Sequence, residues 1–289
     1  MKTEVIRLRD ERPVTLATYV LDLSPQVSWE RRPAVIVCPG GGLMYTSNRE
    51  AEPVAAVFLS RGYHAFVLRY TTADMGVKKV YPDILYDLAK TVAIVRSKAD
   101  EWGVDANKMV IVGFSAGGLL AAMYSTQWHR DWLAESLGVS KNLLKPNAVV
   151  LAYPAGLDFV TMYNIFRGGV GPGAEVFHTM ASLMLGSEEF TLEKLREISP
   201  VTYVDSNTPP TFIWTTADDS VVPVESILSY AHALAANKVP FELHVFASGV
   251  HGLSLADKTT ARTSDQINPH VAKWIDLVLS WLQNHVFKE

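Results

Sequence analysis

One serine of this chain, with a glycine two positions away on each side, lies in a sequence setting that suggests a reactive side chain. Residues 113–117 read Gly-Phe-Ser-Ala-Gly, the G-x-S-x-G pattern in which Ser115 would be the nucleophile. The apolar run 109–112 predicts a strand before it, and the small residues of 116–122 open a helix. Ser115 therefore falls at a sharp strand-to-helix turn, where the N–H groups of the helix start favour developing negative charge. The alternative is a serine that merely caps the helix.

Three consecutive glycines follow another predicted strand, at positions 40–42, directly after Pro39. Glycine costs conformational entropy on folding, so a run of three needs a reason. Backbone N–H groups without side chains can approach an oxyanion closely, and we expect Gly41 and Gly42 to donate to one, with the Ala116 N–H as third donor. A flexible turn is the alternative. A phosphate loop is disfavoured because neither Gly-Lys-Ser/Thr nor G-x-G-x-x-G is present here.

A histidine next to glycine stands near the end of the last predicted strand, in Ser-Gly-Val-His-Gly at 248–252. His251 is in a loop, where an imidazole can move, and we expect it to be the base. Two adjacent carboxylates, in Ala-Asp-Asp-Ser-Val-Val-Pro at 217–223, follow the preceding strand. We choose Asp219 as the acid because it begins Asp-x-x-Val-Pro, with Asp218 as the rival and Asp158 a distant third. The order nucleophile, acid, histidine distinguishes one class of triad enzymes.

The elements that must position these side chains alternate between strand and helix. Apolar runs and period-two patterns predict eight strands, at 3–9, 14–22, 34–38, 64–70, 109–113, 148–153, 211–216 and 241–247. Helical periodicity predicts helices at 51–61, 82–102, 116–127, 224–237 and about 270–285. The first two strands read as an antiparallel pair, and the later strand-helix-strand series implies a parallel sheet with right-handed crossovers.

The alternation fails between about residues 155 and 210, and we interpret this stretch as a cap-like insertion over one end of the sheet. It carries one predicted helix, at 192–197. We find no linker or repeat, so residues 1–289 are expected to form one domain. Apolar side chains near the glycine loop and in the insertion are candidates for the substrate pocket, the alternative for each being ordinary packing: Met44, Tyr45, Phe159, Met162, Tyr163 and Phe166.

Composition excludes several classes of protein. The net charge is −4, with 26 Lys and Arg scattered among 30 Asp and Glu, which argues against nucleic-acid binding. No apolar run approaches the roughly 20 residues that cross a membrane. The single cysteine, Cys38, excludes an internal disulfide, and no H-E-x-x-H pattern suggests a metal. Residues 1–10 lack the apolar core of a secretion signal. We therefore expect a cytoplasmic protein without cofactor or metal.

Four motifs together resemble the α/β-hydrolase superfamily across essentially the whole chain: residues 38–42, residues 113–117, residues 219–223 and His251. Within it, segments 39–42, 47–53 and 62–70 are similar to those of small bacterial carboxylesterases known as acetyl-xylan esterases or sugar hydrolases. Hormone-sensitive-lipase-like esterases are near relatives and carry His-Gly-Gly-Gly. This chain has Pro39 in place of that histidine, which keeps the donor glycines but removes any support from the histidine.

The resemblance implies an α/β-hydrolase fold, with a mostly parallel eight-stranded sheet, helices on both faces and a small cap. It also implies hydrolysis of short acyl esters, including acetyl groups on sugars, by a Ser115-His251-Asp219 acyl-enzyme mechanism. Members commonly oligomerise, so a homo-oligomer is expected. A serine peptidase or amidase with the same triad, and a non-catalytic binding protein, remain alternatives, because fold does not fix the substrate.

Overall fold

Eight strands form one sheet within residues 1–287, the part of the chain that the computed structural model describes. The strands are β1 (Lys2–Arg7), β2 (Thr15–Val20), β3 (Arg32–Cys38), β4 (His64–Arg69), β5 (Val104–Phe114), β6 (Ala148–Ala152), β7 (Thr211–Thr216) and β8 (Phe241–Phe246). Their order is β1-β2-β4-β3-β5-β6-β7-β8. β2 pairs antiparallel with β1 and β4, and the remaining pairs are parallel. The predicted mostly parallel eight-stranded sheet is confirmed.

Helices cover both faces of this sheet. They are α1 (Glu52–Ser60), α2 (Asp83–Ser97), α3 (Ala99–Trp102), α4 (Ala116–Ser125), α5 (Asp131–Leu137), α6 (Phe159–Phe166), α7 (Pro172–Leu185), α8 (Leu192–Glu197), α9 (Val224–Ala236) and α10 (Trp274–Trp281). Alternate residues of β3 enter two separate cores, Ile36 on the side of α2, α4 and α9, and Val37 on the side of α1 and α10. Burial on both faces explains why the central strands read as continuous apolar runs.

Several predicted boundaries differ from the structure. The predicted helix 82–102 is two helices, because the backbone leaves helical geometry at Lys98, with φ −94° and ψ 13°. The closing segment 270–285 consists of a 3₁₀ turn (Val271–Lys273), α10 and a π-helical turn (Leu282–Val286). Helix α5 was not predicted at all. Such ends depend on tertiary packing more than on local sequence.

The insertion between β6 and β7 is helical over most of its length. The predicted helix at 192–197 is confirmed as α8, whose capping residue Thr191 accepts from the Lys194 N–H over 3.2 Å. α6 and α7 were missed, and they pack against each other through Phe159, Tyr163 and Phe177. These aromatic rings connect the insertion to the core that α2, α4 and α9 share.

A buried carboxylate ties the amino-terminal hairpin to the glycine-loop side of the sheet. Asp87 on α2 is 1% exposed, and its oxygens accept from Arg9 Nε (2.5 Å) and from the Thr71 N–H and hydroxyl (2.9 and 2.7 Å). Burial raises the pKa of Asp87, and the Thr71 hydrogen bonds and the Arg9 charge oppose that rise. Just after Thr71, the Ala73 N–H donates to the Leu43 carbonyl over 2.9 Å, so this segment lies against the loop after β3.

No helix in residues 1–287 combines the length and the apolar character that a membrane crossing requires.

Replacing Asp87 by alanine should destabilise the protein, because the Arg9 guanidinium and the Thr71 donors would lose a buried acceptor. We expect urea denaturation to show a free energy of unfolding lower by at least about 2 kcal/mol. Asp100→Ala is the matched control, since Asp100 pairs with Arg31 but is 90% exposed. It should leave the free energy of unfolding almost unchanged, and equal effects of the two substitutions would contradict the assignment.

Candidate active site

Ser115 occupies a strained turn between β5 and α4. Its φ is 49° and its ψ −115°, a region that residues with a side chain rarely adopt. Backbone hydrogen bonds hold it there: the Ser115 N–H donates to the Ala152 carbonyl over 3.0 Å, and the Ser115 carbonyl accepts from Leu119 and Ala155. Strain of this kind persists only where the surroundings determine the conformation. The predicted strand-to-helix junction is therefore present, and Ser115 is 7% exposed at its tip.

The glycines around Ser115 are explained by close backbone contacts. A Cβ atom on Gly117 would lie 2.0 Å from the carbonyl oxygen of Cys38 at the end of β3. A Cβ atom on Gly113 would lie 2.3 Å from the carbonyl oxygen of Gly117. Any side chain at these two positions would push α4 away from the sheet, so the glycines allow the helix to start directly beside the carboxyl ends of β3 and β5.

Ser115, His251 and Asp219 form a continuous row of hydrogen bonds. The Ser115 Oγ lies 2.9 Å from His251 Nε2, and His251 Nδ1 lies 2.7 Å from Asp219 Oδ2. The Asp219 side chain is 1% exposed, and its Oδ1 accepts from the N–H groups of Val221 (2.8 Å) and Val222 (3.0 Å). With the proton on Nδ1 held by the carboxylate, Nε2 presents a lone pair to the serine hydroxyl.

The two rival carboxylates have other partners. Asp218 is exposed and accepts from the Ser248 hydroxyl (2.7 Å) and the Gly249 N–H (2.8 Å), so it holds the loop that precedes His251. These two hydrogen bonds lower the pKa of Asp218. Asp158 caps α6, where it accepts from the Thr161 N–H over 3.0 Å. Of the three candidates, Asp219 is the one hydrogen-bonded to His251.

The glycine loop borders the same cavity as Ser115 and His251. Gly41 and Gly42 have φ values of 126° and 63°, and both line the cavity. The loop is also a tight turn, in which the Met44 N–H donates to the Gly41 carbonyl over 3.0 Å. Ala116 is the first residue of α4, so its N–H has no acceptor within the helix. Gly41 and Gly42 thus border the same cavity as Ser115, and Ala116 directly follows Ser115 in the chain; their role as oxyanion donors stays a prediction.

Two side chains that sequence reasoning missed hold this loop. The Tyr70 hydroxyl donates to the Pro39 carbonyl over 2.7 Å, and Glu50 Oε2 accepts from the Gly40 N–H over 2.8 Å. Both are buried, Tyr70 fully and Glu50 to 4% exposure. Glu50 lies in segment 47–53, one of the segments that carry the resemblance to small carboxylesterases. That resemblance was the available signal, because no local pattern marks this glutamate as different from its neighbour Glu52.

The cavity above Ser115 has a volume of 460 Å³. Its lining is Gly41, Gly42, Met44, Tyr45, Ser47, Arg49, Glu50, Ser115, Glu175, Val176, Thr179, Val221, His251 and Gly252. Met44 and Tyr45 are among these lining residues, and both are exposed; a contact with substrate stays a prediction. The expectation for Phe159 is corrected: this ring is fully buried in the core, against Gly156 and Phe177, and does not line the cavity.

The insertion contributes to the cavity through α7 instead of α6. Glu175, Val176 and Thr179 face the cavity, whereas Met162 is fully buried and Tyr163 and Phe166 pack on the core. The sequence contained a signal for α7. Pro172 follows Gly171 at the first helical turn, and the apolar residues Phe177, Met180, Ala181 and Met184 repeat with helical spacing.

A larger cavity, of 580 Å³, lies at the opposite end of the sheet. It is bordered by Pro33 at the start of β3, Tyr63 just before β4, and Gln283 and Asn284 near the end of the described chain. Its lining contains no serine, cysteine or histidine, so it lacks the serine–histidine or cysteine–histidine pair that many acyl-transfer enzymes use. The smaller cavity is the one with the groups that acyl transfer needs.

The chain matches the BD-FAE family model over residues 21–234. It is similar to a carboxylesterase structure from Lactobacillus plantarum WCFS1, with a TM-score of 0.82, 28% identity and coverage of 98% of this chain and 97% of that one. An acetyl ester-xyloside bifunctional hydrolase from Caldicellulosiruptor lactoaceticus aligns with a TM-score of 0.73, 34% identity and coverage of 93% and 87%.

Among curated proteins, an acetylxylan esterase from Xylanibacter ruminicola is 27% identical over 84% of this chain and 45% of its own length. The chain spans only between 33% and 49% of the length of the curated relatives it matches. The α/β-hydrolase fold expected from the motifs is confirmed by the solved structures, and esterase or carboxylesterase is the activity in the names of several of these relatives. The chain belongs to the BD-FAE family, in the carboxylesterase and acetylxylan-esterase-like group of α/β hydrolases.

Proposed function

We propose that this chain is a serine carboxylester hydrolase that removes short acyl groups, with acetylated sugars as the substrate class. Ser115 is the nucleophile, His251 moves the proton, and Asp219 orients the imidazole. The observation that carries the proposal is the row of hydrogen bonds from Ser115 Oγ to His251 Nε2 (2.9 Å) and from His251 Nδ1 to Asp219 Oδ2 (2.7 Å). A capping serine would need neither bond.

In the first half-reaction, His251 Nε2 takes the Ser115 hydroxyl proton while Oγ forms a bond to the ester carbonyl carbon. The carbonyl electron pair moves onto its oxygen, and the N–H groups of Gly41, Gly42 and Ala116 stabilise the resulting oxyanion. When the pair returns, the carbon–oxygen bond to the alcohol breaks. The alcohol leaves with the proton from His251, and the acyl group stays on Ser115.

In the second half-reaction, His251 takes a proton from water, and the hydroxyl oxygen attacks the acyl carbon. A second oxyanion forms in the same site and collapses, which releases the acid and returns the proton to Ser115. Asp219 Oδ2 holds the imidazole throughout, while its Oδ1 accepts from two backbone N–H groups. Its charge stabilises the imidazolium that forms in each half-reaction.

The cavity lining supports a polar alcohol as the leaving group. Tyr45, Glu175 and Thr179 bring a phenol, a carboxylate and a hydroxyl to the edge of the cavity, where they can meet sugar hydroxyls. Its volume of 460 Å³ has room for an acyl group and part of a sugar. The position of α7 supports the prediction that the 155–210 insertion caps the site. The acetyl-ester and acetylxylan activities in the names of two relatives agree with this class.

Replacing Ser115 by alanine should lower kcat/KM for p-nitrophenyl acetate by at least about a thousand-fold, because no acyl-enzyme can form. Circular dichroism should show an intact fold. Ser97→Ala is the control, since the exposed Ser97 hydroxyl contacts only the Ile94 carbonyl on its own helix. It should turn over p-nitrophenyl acetate at the rate of the unmodified chain. Unchanged turnover in Ser115→Ala would end the proposal.

Matched substitutions of the two adjacent aspartates should have very different effects on kcat/KM. Asp219→Asn should lower kcat/KM by about a thousand-fold or more, because an amide cannot hold the Nδ1–H tautomer of His251. Asp218→Asn should cost less than about ten-fold, since Asp218 only holds the loop at Ser248 and Gly249. Steady-state kinetics on p-nitrophenyl acetate measures both. A larger loss in Asp218→Asn would reverse the assignment.

A graded panel of substrates should identify the leaving group and the acyl limit. We expect kcat/KM to fall at least about ten-fold from p-nitrophenyl acetate to the octanoate, and acetylated xylose to be hydrolysed. Aminoacyl p-nitroanilides should not be cleaved. Reactions with Ser115→Ala provide the background rate for each substrate. Faster cleavage of the amides than of the acetates would favour the amidase alternative instead.

A further inference from the structure

Glu50 is a buried carboxylate whose two oxygens accept hydrogen bonds from different parts of the site. Oε2 accepts from the Gly40 N–H over 2.8 Å, and Oε1 accepts from the Tyr153 hydroxyl over 2.6 Å. The first partner begins the glycine loop, and the second directly follows β6. Glu50 is only 4% exposed, and a carboxylate tolerates such burial only when donors satisfy its oxygens.

Tyr153 extends this connection to the loop of His251. Its hydroxyl accepts from the Ser254 N–H over 2.8 Å, three residues beyond the histidine, and its ring lies 5.2 Å from the His251 ring in an edge-on arrangement. Burial, followed by the charge of Glu50, raises the pKa of Tyr153 well above its usual range. The phenol therefore stays protonated, and its O–H donates a hydrogen bond to Glu50 Oε1.

Arg49, the neighbour of Glu50, contacts the same histidine loop. Its guanidinium donates to the Gly252 carbonyl over 3.0 Å and to the Thr260 carbonyl, and its own carbonyl accepts from the Ser254 hydroxyl over 2.7 Å. Residues 49 and 50 thus connect two loops that are about 200 positions apart in the chain.

The glycine loop is held at a short distance from the nucleophile by this connection. A Cβ atom on Gly40 would lie 2.8 Å from Glu50 Oε2 and 3.0 Å from the Ser115 Cβ, so Gly40 lies close to both the carboxylate and the serine. Oxyanion donors act only when they are about 2.7 to 3.1 Å from the developing charge. A shift of Gly40 would move Gly41 and Gly42 with it.

We propose that Glu50 is a positioning residue, which sets the oxyanion glycines and the His251 loop at a fixed distance from each other through Gly40 and Tyr153. The proposal rests on the proposed function. It also explains why a carboxylate is needed here. Both neighbours donate, and a carboxylate offers two acceptors, whereas a glutamine would turn an NH₂ group toward either the Gly40 N–H or the Tyr153 hydroxyl.

The experiment compares Glu50→Gln with Glu52→Gln. Glu52 is two residues along, 44% exposed and paired with Arg69, so its substitution should leave kcat unchanged. Glu50→Gln should lower kcat for p-nitrophenyl acetate by about 10- to 100-fold with KM within about three-fold, because a displaced donor weakens transition-state binding and not ground-state binding. A folded Glu50→Gln protein with the unmodified kcat would overturn the proposal, as would a rise in KM alone.

Tyr153→Phe provides a second test if Glu50→Gln does not fold. It retains the ring beside His251 but removes the hydroxyl that Glu50 and Ser254 contact. A several-fold loss of kcat with KM nearly constant is expected, and an unmodified kcat would overturn the proposal. The result remains separate from the test of the proposed function: activity that survives in Ser115→Ala overturns the triad, whereas full activity in Glu50→Gln overturns only the positioning role.

Discussion

The close approach of α4 to the end of β3 is the constraint on which the candidate site depends. It requires glycine at position 117, whose backbone lies against the Cys38 carbonyl, and it leaves Ser115 at a φ of 49°. The same approach brings the glycine loop, which begins immediately after β3, beside the start of α4. The nucleophile and its proposed oxyanion donors are therefore neighbours because two parallel strands end side by side.

Buried carboxylates have different roles in this chain because their partners differ. Asp219 faces one imidazole and two backbone N–H groups, and Glu50 faces a backbone N–H and a phenol. Asp87 faces a guanidinium and a threonine, and does not itself line the cavity. In each case donors on two or more elements satisfy the oxygens of the buried carboxylate. Each carboxylate therefore joins parts of the chain that no helix or strand connects.

Local sequence patterns were sufficient for the features that depend on neighbouring residues. Ser115 could be predicted because the strand, the turn and the helix that hold it are consecutive, and His251 because it stands alone in a glycine-containing loop. The choice between Asp218 and Asp219 is less local, since both carboxylates contact the 248–252 loop and only the folded geometry decides which one meets the His251 ring. The sequence favoured Asp219, and the geometry agrees with that choice.

Features that depend on tertiary packing could not be predicted in the same way. Phe159 and Val176 are both apolar residues of the insertion, and only the packing of α6 against α7 decides which one is buried and which one borders the cavity. Glu50 and Glu52 are the same type of residue two positions apart, yet one is enclosed by Gly40 and Tyr153 and the other is at the surface. Burial of this kind is a property of the folded chain as a whole.

The support of the glycine loop has a consequence for how such sites can diversify. Tyr70 donates to the Pro39 carbonyl and Glu50 accepts from the Gly40 N–H. Both hydrogen bonds involve main-chain atoms of the loop, and neither involves the side chain at position 39. These two hydrogen bonds consequently do not depend on the type of side chain at position 39. Either a histidine before the glycines, as in the hormone-sensitive-lipase-like esterases, or the proline of this chain is thus compatible with these two hydrogen bonds.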